Sequence, residues 1–581
     1  MTEYIKIRET LEKVKDNPQE LMETLLSLHR NSSSEKLEFY DEVSNFINDE
    51  KIDIYDVALN VISTGKNIFL VSHLLSELAN NIKIINSKTF LDFLTLFYEK
   101  SINDLAANIF YEPIKKLAEN EDSGLEKVEH EILTNKEQKL YGYLNAIYMG
   151  YAKKEVLVSY SKLMDMINSG DHLLISHGLR GLGLLQNISE DLLTEIKKTC
   201  LTYSEFEDED FISNATFTLY KLIKYDAKLY EKIILLSQKN IAKVQFELLH
   251  LINTKEEIDQ TDLKIICNIC QYDLEFKGIS NQMDSICLKL MKKNDSINFL
   301  VIFDHWIRLH SIKEIQETNF TTVFNLSIPI MLQKHDFMKN LVTDWFNSDD
   351  PRYQIVLMDI FSYLSTHNSE SMELNTDILN ALKLNDLLYI VRKILGYVYD
   401  NESAILLIAS ILKMKKISSS VEKIIYETLA EIYGDRVPLK TKTILENLLK
   451  SDYKYSRKAR SIINTCIDCI SNKMERIDIL GKLNELQPNV DYQIKLSQAF
   501  QKFISKASDD ALGDSPLISS VNRVKIKTGN GWFQYSNGNY SQIAQMQKFT
   551  HTVEFPREMM LDEIGSVIQR TAFQQAKRNE S

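Results

Sequence analysis

Apolar side chains recur at steps of three and four through most of the chain, the spacing that puts them on one stripe of an α-helix. Between residues 171 and 310 such a stripe repeats four times. It runs through Ile175, Gly178, Leu182 and Leu185; Ile212, Ala215, Leu219 and Leu222; Ile241, Val244, Leu248 and Leu251; and Ile279, Met283, Ile286 and Leu290. The intervening segments open at Ser189, Asp226, Thr261 and Asp295, whose side-chain oxygens can accept from the free amides of a first helical turn. Two kinds of helix therefore alternate. The isoleucines at 175, 212, 241 and 279 set a period between 29 and 38 residues, the span of a helix hairpin stacked on its neighbours.

This pattern resembles an α-solenoid of the HEAT or armadillo type, with a compact all-helical bundle as the alternative. The expected fold class is all-α: a solenoid of HEAT-like hairpins with a small C-terminal α+β appendage. Residues 1–165 read as a divergent N-terminal helical region, broken at Asn17-Pro18, at 31–34 and at 119–123. The solenoid is expected over 166–504. Within it Pro351 follows Asp350, which suits a first turn because proline lacks the amide that would be unpaired there, and its stripe is Ile355, Met358, Phe361 and Leu364. Residues 505–516 are polar and punctuated by glycine and proline, so they read as a linker. Beyond them, over 517–581, the period changes. Val524-Lys525-Ile526-Lys527, then Gly529-Asn530-Gly531, then Trp532-Phe533-Gln534-Tyr535 predicts a hairpin, with a third strand at 549–555 and an amphipathic helix from Pro556 through Met560, Ile564, Val567 and Ile568.

A length of 581 residues exceeds what one compact core supports, and the repeats favour an array. Only 8 prolines and 17 glycines interrupt it, which permits long helices joined by short connections. A net charge of −13 argues against a global electrostatic footprint for nucleic acid or acidic membranes. The apolar runs are too short to cross a bilayer. The first residues lead into a charged amphipathic helix instead of a secretory signal, so a cytoplasmic location is expected. Six cysteines are ordinary usage for a reducing compartment.

Motifs for chemistry are sparse. Cys267-x-x-Cys270 and Cys466-x-x-Cys469 have ligand-like spacing, but each pair falls within a predicted helix, where cysteine acts as a small apolar residue. Gly178, Gly181 and Gly183 lack the strand–turn–helix context of a phosphate cradle and instead suit close helix packing. His172, His177, His250, His305 and His310 lie in the repeats, and Asp304-His305-Trp306 diverge around a helix, so they form no pair. Glu205, Glu207, Asp208, Glu209 and Asp210 sit at a helix start, where the dipole favours negative charge. No catalytic motif, cofactor motif or metal motif is recognised, and the chain reads as a non-enzyme.

Two surfaces stand out as candidates. Trp532, Phe533, Tyr535 and Tyr540 cluster in the hairpin, where rings of low rotamer entropy serve either as a protein-binding centre or as a cap on the solenoid. From Lys413 to Arg460 there are 12 basic and 6 acidic residues, densest around Lys454, Arg457, Lys458 and Arg460. The expected function is a scaffold or adaptor that binds protein partners, since a solenoid exposes surface instead of enclosing a deep pocket. The resemblance implies a subunit of a larger assembly. A nucleic-acid-binding accessory subunit that uses the basic stretch is the alternative, and a bacterial defence complex would accommodate either.

Overall fold

The computed structural model describes residues 2–31, 36–63, 68–83, 85–101, 109–119, 123–270, 277–367, 372–451, 455–479, 490–513, 524–528, 531–536, 539–540, 544–545 and 562–578. Its helices are numbered α1 to α32 in chain order through those residues. Contacts group the chain into two units, Met1–His310 with Val323–Ile330, and Ser311–Thr322 with Met331–Ser581. The range expected as one solenoid, 166–504, spans both.

In the first unit α9 (Tyr141–Ala152), α11 (His172–Leu182), α13 (Glu209–Leu222), α15 (Ala242–Thr254) and α17 (Lys277–Lys292) each pack on the next. Between them come α12 (Glu190–Tyr203), α14 (Leu229–Ser237), α16 (Gln260–Ile269) and α18 (Ser296–Leu309), of which α14 packs on α16 and α16 on α18. The helices thus pack in sequence-adjacent pairs, which is compatible with a helical repeat. The repeated stripes supply the core: all their residues are buried except Ile175 and Ile241, which are half-buried. Leu185 is buried from beyond the end of α11.

Local chemistry sets the boundaries. Ser189 caps α12 by accepting from the Leu192 amide, and Asp295 caps α18 by accepting from that of Asn298. Two expected starts move. Asp226 forms a turn whose helix begins only at Leu229. The cap of α16 is Asp259 instead of Thr261, because Asp259 and Asp262 bond each other's amides reciprocally at 2.9 and 3.1 Å and satisfy two free donors at once. Close helix approach accounts for the glycine cluster. A Cβ on Gly178 would lie 2.8 Å from Ile167 Cγ1, on Gly181 2.4 Å from Leu163 Cδ2, and on Gly183 2.6 Å from Thr218 Oγ1.

In the second unit α19 (Ile312–Thr318) and α22 (His335–Phe346) pack on α23 (Pro351–Thr366). From there α23 packs on α25 (Leu384–Tyr397), which packs on α26 (Asn401–Ser410). Asp350 caps α23 and Pro351 occupies its first turn, as the sequence predicts. Farther along come α29 (Pro438–Ser451), α30 (Arg457–Ile479) and α31 (Val490–Gly513). The backbone of β1 (Val524–Thr528) pairs antiparallel with β2 (Gly531–Ser536), with Val524 opposite Tyr535, and the two-residue β3 (Asn539–Tyr540) and β4 (Ala544–Gln545) also pair with β2. The final helix, α32 (Glu563–Gln575), opens at its cap Asp562 and packs on α25. The predicted opening at Pro556 lies outside the described residues, as does the third strand expected at 549–555.

Asp359 on α23 accepts the Phe320 amide at 3.1 Å, and burial, partly offset by that bond, pushes its carboxyl up to about 6. A raised acid contributes stability that is complete below its unfolded value near 4 and lost as pH rises through about 6. Asp359→Asn keeps an acceptor for Phe320 without the charge. The variant is expected to melt higher than wild type at pH 7.5 and to lose that advantage near pH 4. Equal differences at both values in thermal scans would contradict the assignment.

Candidate interaction site on the second unit

The C-terminal segment lies along a stripe of α25. Asp386, Tyr389, Lys393 and Gly396 follow one another at steps of three and four and so share one face. Each has a task. Lys393 is 4% exposed, and its ammonium donates at 2.5 Å to the Gln574 carbonyl in the last turn of α32. A carbonyl in a last turn has no acceptor role within its own helix, and a cation there also suits the helix dipole. The Tyr389 and Tyr397 rings flank the ammonium at 4.9 and 6.0 Å. Gly396 makes the approach possible, since a Cβ would sit 2.9 Å from the Gln574 backbone nitrogen, and its carbonyl accepts from Gln574 Nε2 at 3.0 Å.

Past the helix end, Arg578 closes the contact. Its Nη1 donates to Asp386 at 2.6 Å and to the Asn347 side chain at 2.7 Å, its Nε to Asp349 at 3.1 Å, and its Nη2 to the Asn347 carbonyl. The guanidinium lies 4.7 Å from the Tyr389 ring centre. It holds the Asp386 carboxyl below the usual range, and burial pushes the Tyr389 phenol, which donates to the Ser348 carbonyl, up to about 12. Arg570 stacks on Tyr399 at 4.0 Å. Beside the tail runs a cleft of about 1110 Å³, lined among others by Ile312, Ile355, Met358, Tyr397 and Tyr399.

No protein-family model and no curated protein matches this chain. Its surfaces therefore have to be read from their own chemistry.

The remaining candidates resolve unevenly. The backbones of Trp532, Phe533, Tyr535 and Tyr540 lie in β2 and β3, and their side chains lie outside the described residues, as does Lys454. Arg457 is exposed at the start of α30. Lys458 pairs with Glu422 at 3.2 Å and donates to the Ile417 carbonyl, while Arg460 donates to the Tyr455 carbonyl. Much of the basic excess meets acids from outside the stretch: Lys413 pairs with Glu373 at 2.8 Å, Lys415 with Asp377 at 3.8 Å and Lys440 with Glu402 at 3.1 Å.

Burial pushes the Cys267 thiol up to about 11 and the Cys466 thiol up to about 12. Among the described residues, His172, Asp208 and Asp210 bring three potential ligand atoms within 4.8 Å of one another. Each carboxylate already has a structural task. Asp208 caps α13 and bonds His172 at 2.7 Å, and Asp210 pairs with Lys243 at 2.7 Å. Asp304 pairs with Arg308 and Trp306 is buried, so the two neighbours of His305 do turn away from each other. No helix among the described residues is long and apolar enough to cross a membrane.

Sequence reasoning missed Lys393, Gly396 and Arg578. The signal available was a lysine on the same stripe as Asp386, Tyr389 and Gly396, since burying an ammonium requires a dedicated acceptor.

Proposed function

We propose that the chain is a non-catalytic scaffold or adaptor, an α-solenoid of HEAT-like hairpins ending in a small α+β appendage, that holds protein partners within a larger cytoplasmic assembly. α31 carries this reading. Tyr492, Leu496, Phe500 and Phe503 fall at steps of four and three on one face of a 24-residue helix, and they are 59, 60, 65 and 72% exposed. An amphipathic helix gains little stability from propensity alone and buries its apolar face when a surface is supplied. Exposed apolar stripes of this kind mark contacts with other proteins.

The test compares tagged wild type with Leu496→Glu/Phe500→Glu/Phe503→Glu, both purified from the source cells. A stoichiometric protein companion is expected on the wild type and absent from the variant, at equal helical content by circular dichroism. Retention of the companion by the variant, or recovery of nuclease-sensitive material in its place, would contradict the reading.

A further inference from the structure

We propose that the face of α25 together with Asn347 and Asp349 is a recognition groove for a partner's helix that ends just before an arginine, and that the chain's own tail occupies this groove until such a helix displaces it. This rests on the adaptor reading and adds to it the chemistry of one partner and the control of its site.

The tail satisfies only half of the groove. Its specific contacts are polar or cationic: Lys393 to a helix-end carbonyl, Gln574 to the Gly396 carbonyl, Arg578 to Asp349, Asp386 and Asn347, and the Arg570 and Arg578 guanidinium groups on the Tyr399 and Tyr389 rings. No residue of α32 is buried: Phe573 is half-buried, while Ile564, Val567 and Ile568 stay 75, 60 and 64% exposed. The apolar lining at Ile312, Ile355 and Met358 faces the adjoining cleft of about 1110 Å³, and the tail presents to that cleft only Ala572 and Ala576 as apolar residues. A segment selected for tight and permanent packing would bury an apolar face there.

Tethering explains why a weak contact suffices. The tail is joined to α31 within one chain, so its effective concentration at the groove is on the order of 1 mM. A polar contact with a dissociation constant of about 10–100 μM is then mostly closed, yet a partner with a tighter fit opens it. The geometry specifies that partner. Its last helical turn must offer a free carbonyl to Lys393 and pass close to Gly396, and its arginine must follow by about three residues, as Arg578 follows Gln575. Bulkier apolar residues where the tail has Ala572 and Ala576 would fill the cleft.

Fluorescence anisotropy on the full-length chain tests this with two labelled peptides, residues 562–581 and the same sequence carrying Ala572→Leu and Ala576→Leu. Arg578→Glu in the chain releases its own tail, so the native-sequence peptide is expected to bind that variant about 10- to 100-fold more tightly than wild type. Adding Asp349→Asn, at an exposed loop position, is expected to weaken the gain several-fold. The leucine peptide is expected to bind wild type at least about tenfold more tightly than the native-sequence peptide. Equal peptide binding by wild type and Arg578→Glu overturns the proposal, and so does a leucine peptide with no advantage. A wild-type dimer that dissociates on Arg578→Glu would instead assign the groove to a second copy's tail. These readouts do not involve α31, so loss of the companion from the α31 variant together with equal peptide binding by wild type and Arg578→Glu leaves the adaptor reading standing and removes only this proposal.

Discussion

Gly150→Ala is expected to destabilise the first unit by about 2–3 kcal/mol, the opposite sign from the usual effect of glycine-to-alanine in a helix. Gly150 lies in α9 against α7 (Tyr111–Ala118), and a Cβ there would sit 2.4 Å from both the Ala118 Cβ and the Lys115 carbonyl oxygen. A side chain can rotate away, but a backbone carbonyl in a neighbouring helix cannot move without displacing that helix. Gly142 in the same helix is the internal control. Its nearest neighbour would be His177 Cε1 at an ordinary 3.6 Å, so Gly142→Ala is expected to stabilise by about 0.5–1 kcal/mol through the unfolded state. Urea denaturation of both variants decides the matter. A shift of the same sign in both would mean that α7 and α9 do not approach this closely.

The second large effect concerns a link across three successive helices of the stack. Arg180 on α11 donates to both carboxylate oxygens of Glu247 on α15, at 3.0 and 3.2 Å, to Asn214 on α13 at 3.3 Å, and stacks 4.1 Å from the Phe217 ring centre. Glu247 is only 8% exposed. Arg180→Leu strands that carboxylate in an apolar setting and is expected to cost about 3–5 kcal/mol. Replacing both residues by leucine removes the charge with its partner and is expected to restore most of the loss. Equilibrium unfolding of the two single variants and the double variant measures the coupling. Additive losses would show that the guanidinium and the carboxylate act independently.

What the sequence reveals is what short-range physics decides. Periodicity locates the stripes, since a residue's face follows from its neighbours within two turns. Ser189 and Asp295 mark true helix starts because a cap needs only the next three residues. Prediction slips where several capping residues compete within a few positions, as at Asp259, Thr261 and Asp262, and the reciprocal pair prevails. The long-range pairings depend on contacts that no period encodes. Arg180 and Glu247 are 67 residues apart and Arg578 and Asp349 are 229 apart, so each pairing exists only once the helices have stacked. The same holds for the basic stretch after Lys413, whose surplus looked available until Glu373, Asp377 and Glu402 arrived from earlier in the chain. The α31 stripe was written in the sequence with the same clarity as any core helix. That it is left uncovered is something only the fold discloses.

The most direct test of partner binding is to place a photo-reactive amino acid at Leu496 of α31 and irradiate the source cells. One discrete protein adduct is predicted, and it should vanish when Phe500→Glu and Phe503→Glu are present. An absence of protein adducts, a set of adducts unchanged by those substitutions, or coupling to nucleic acid would contradict the account.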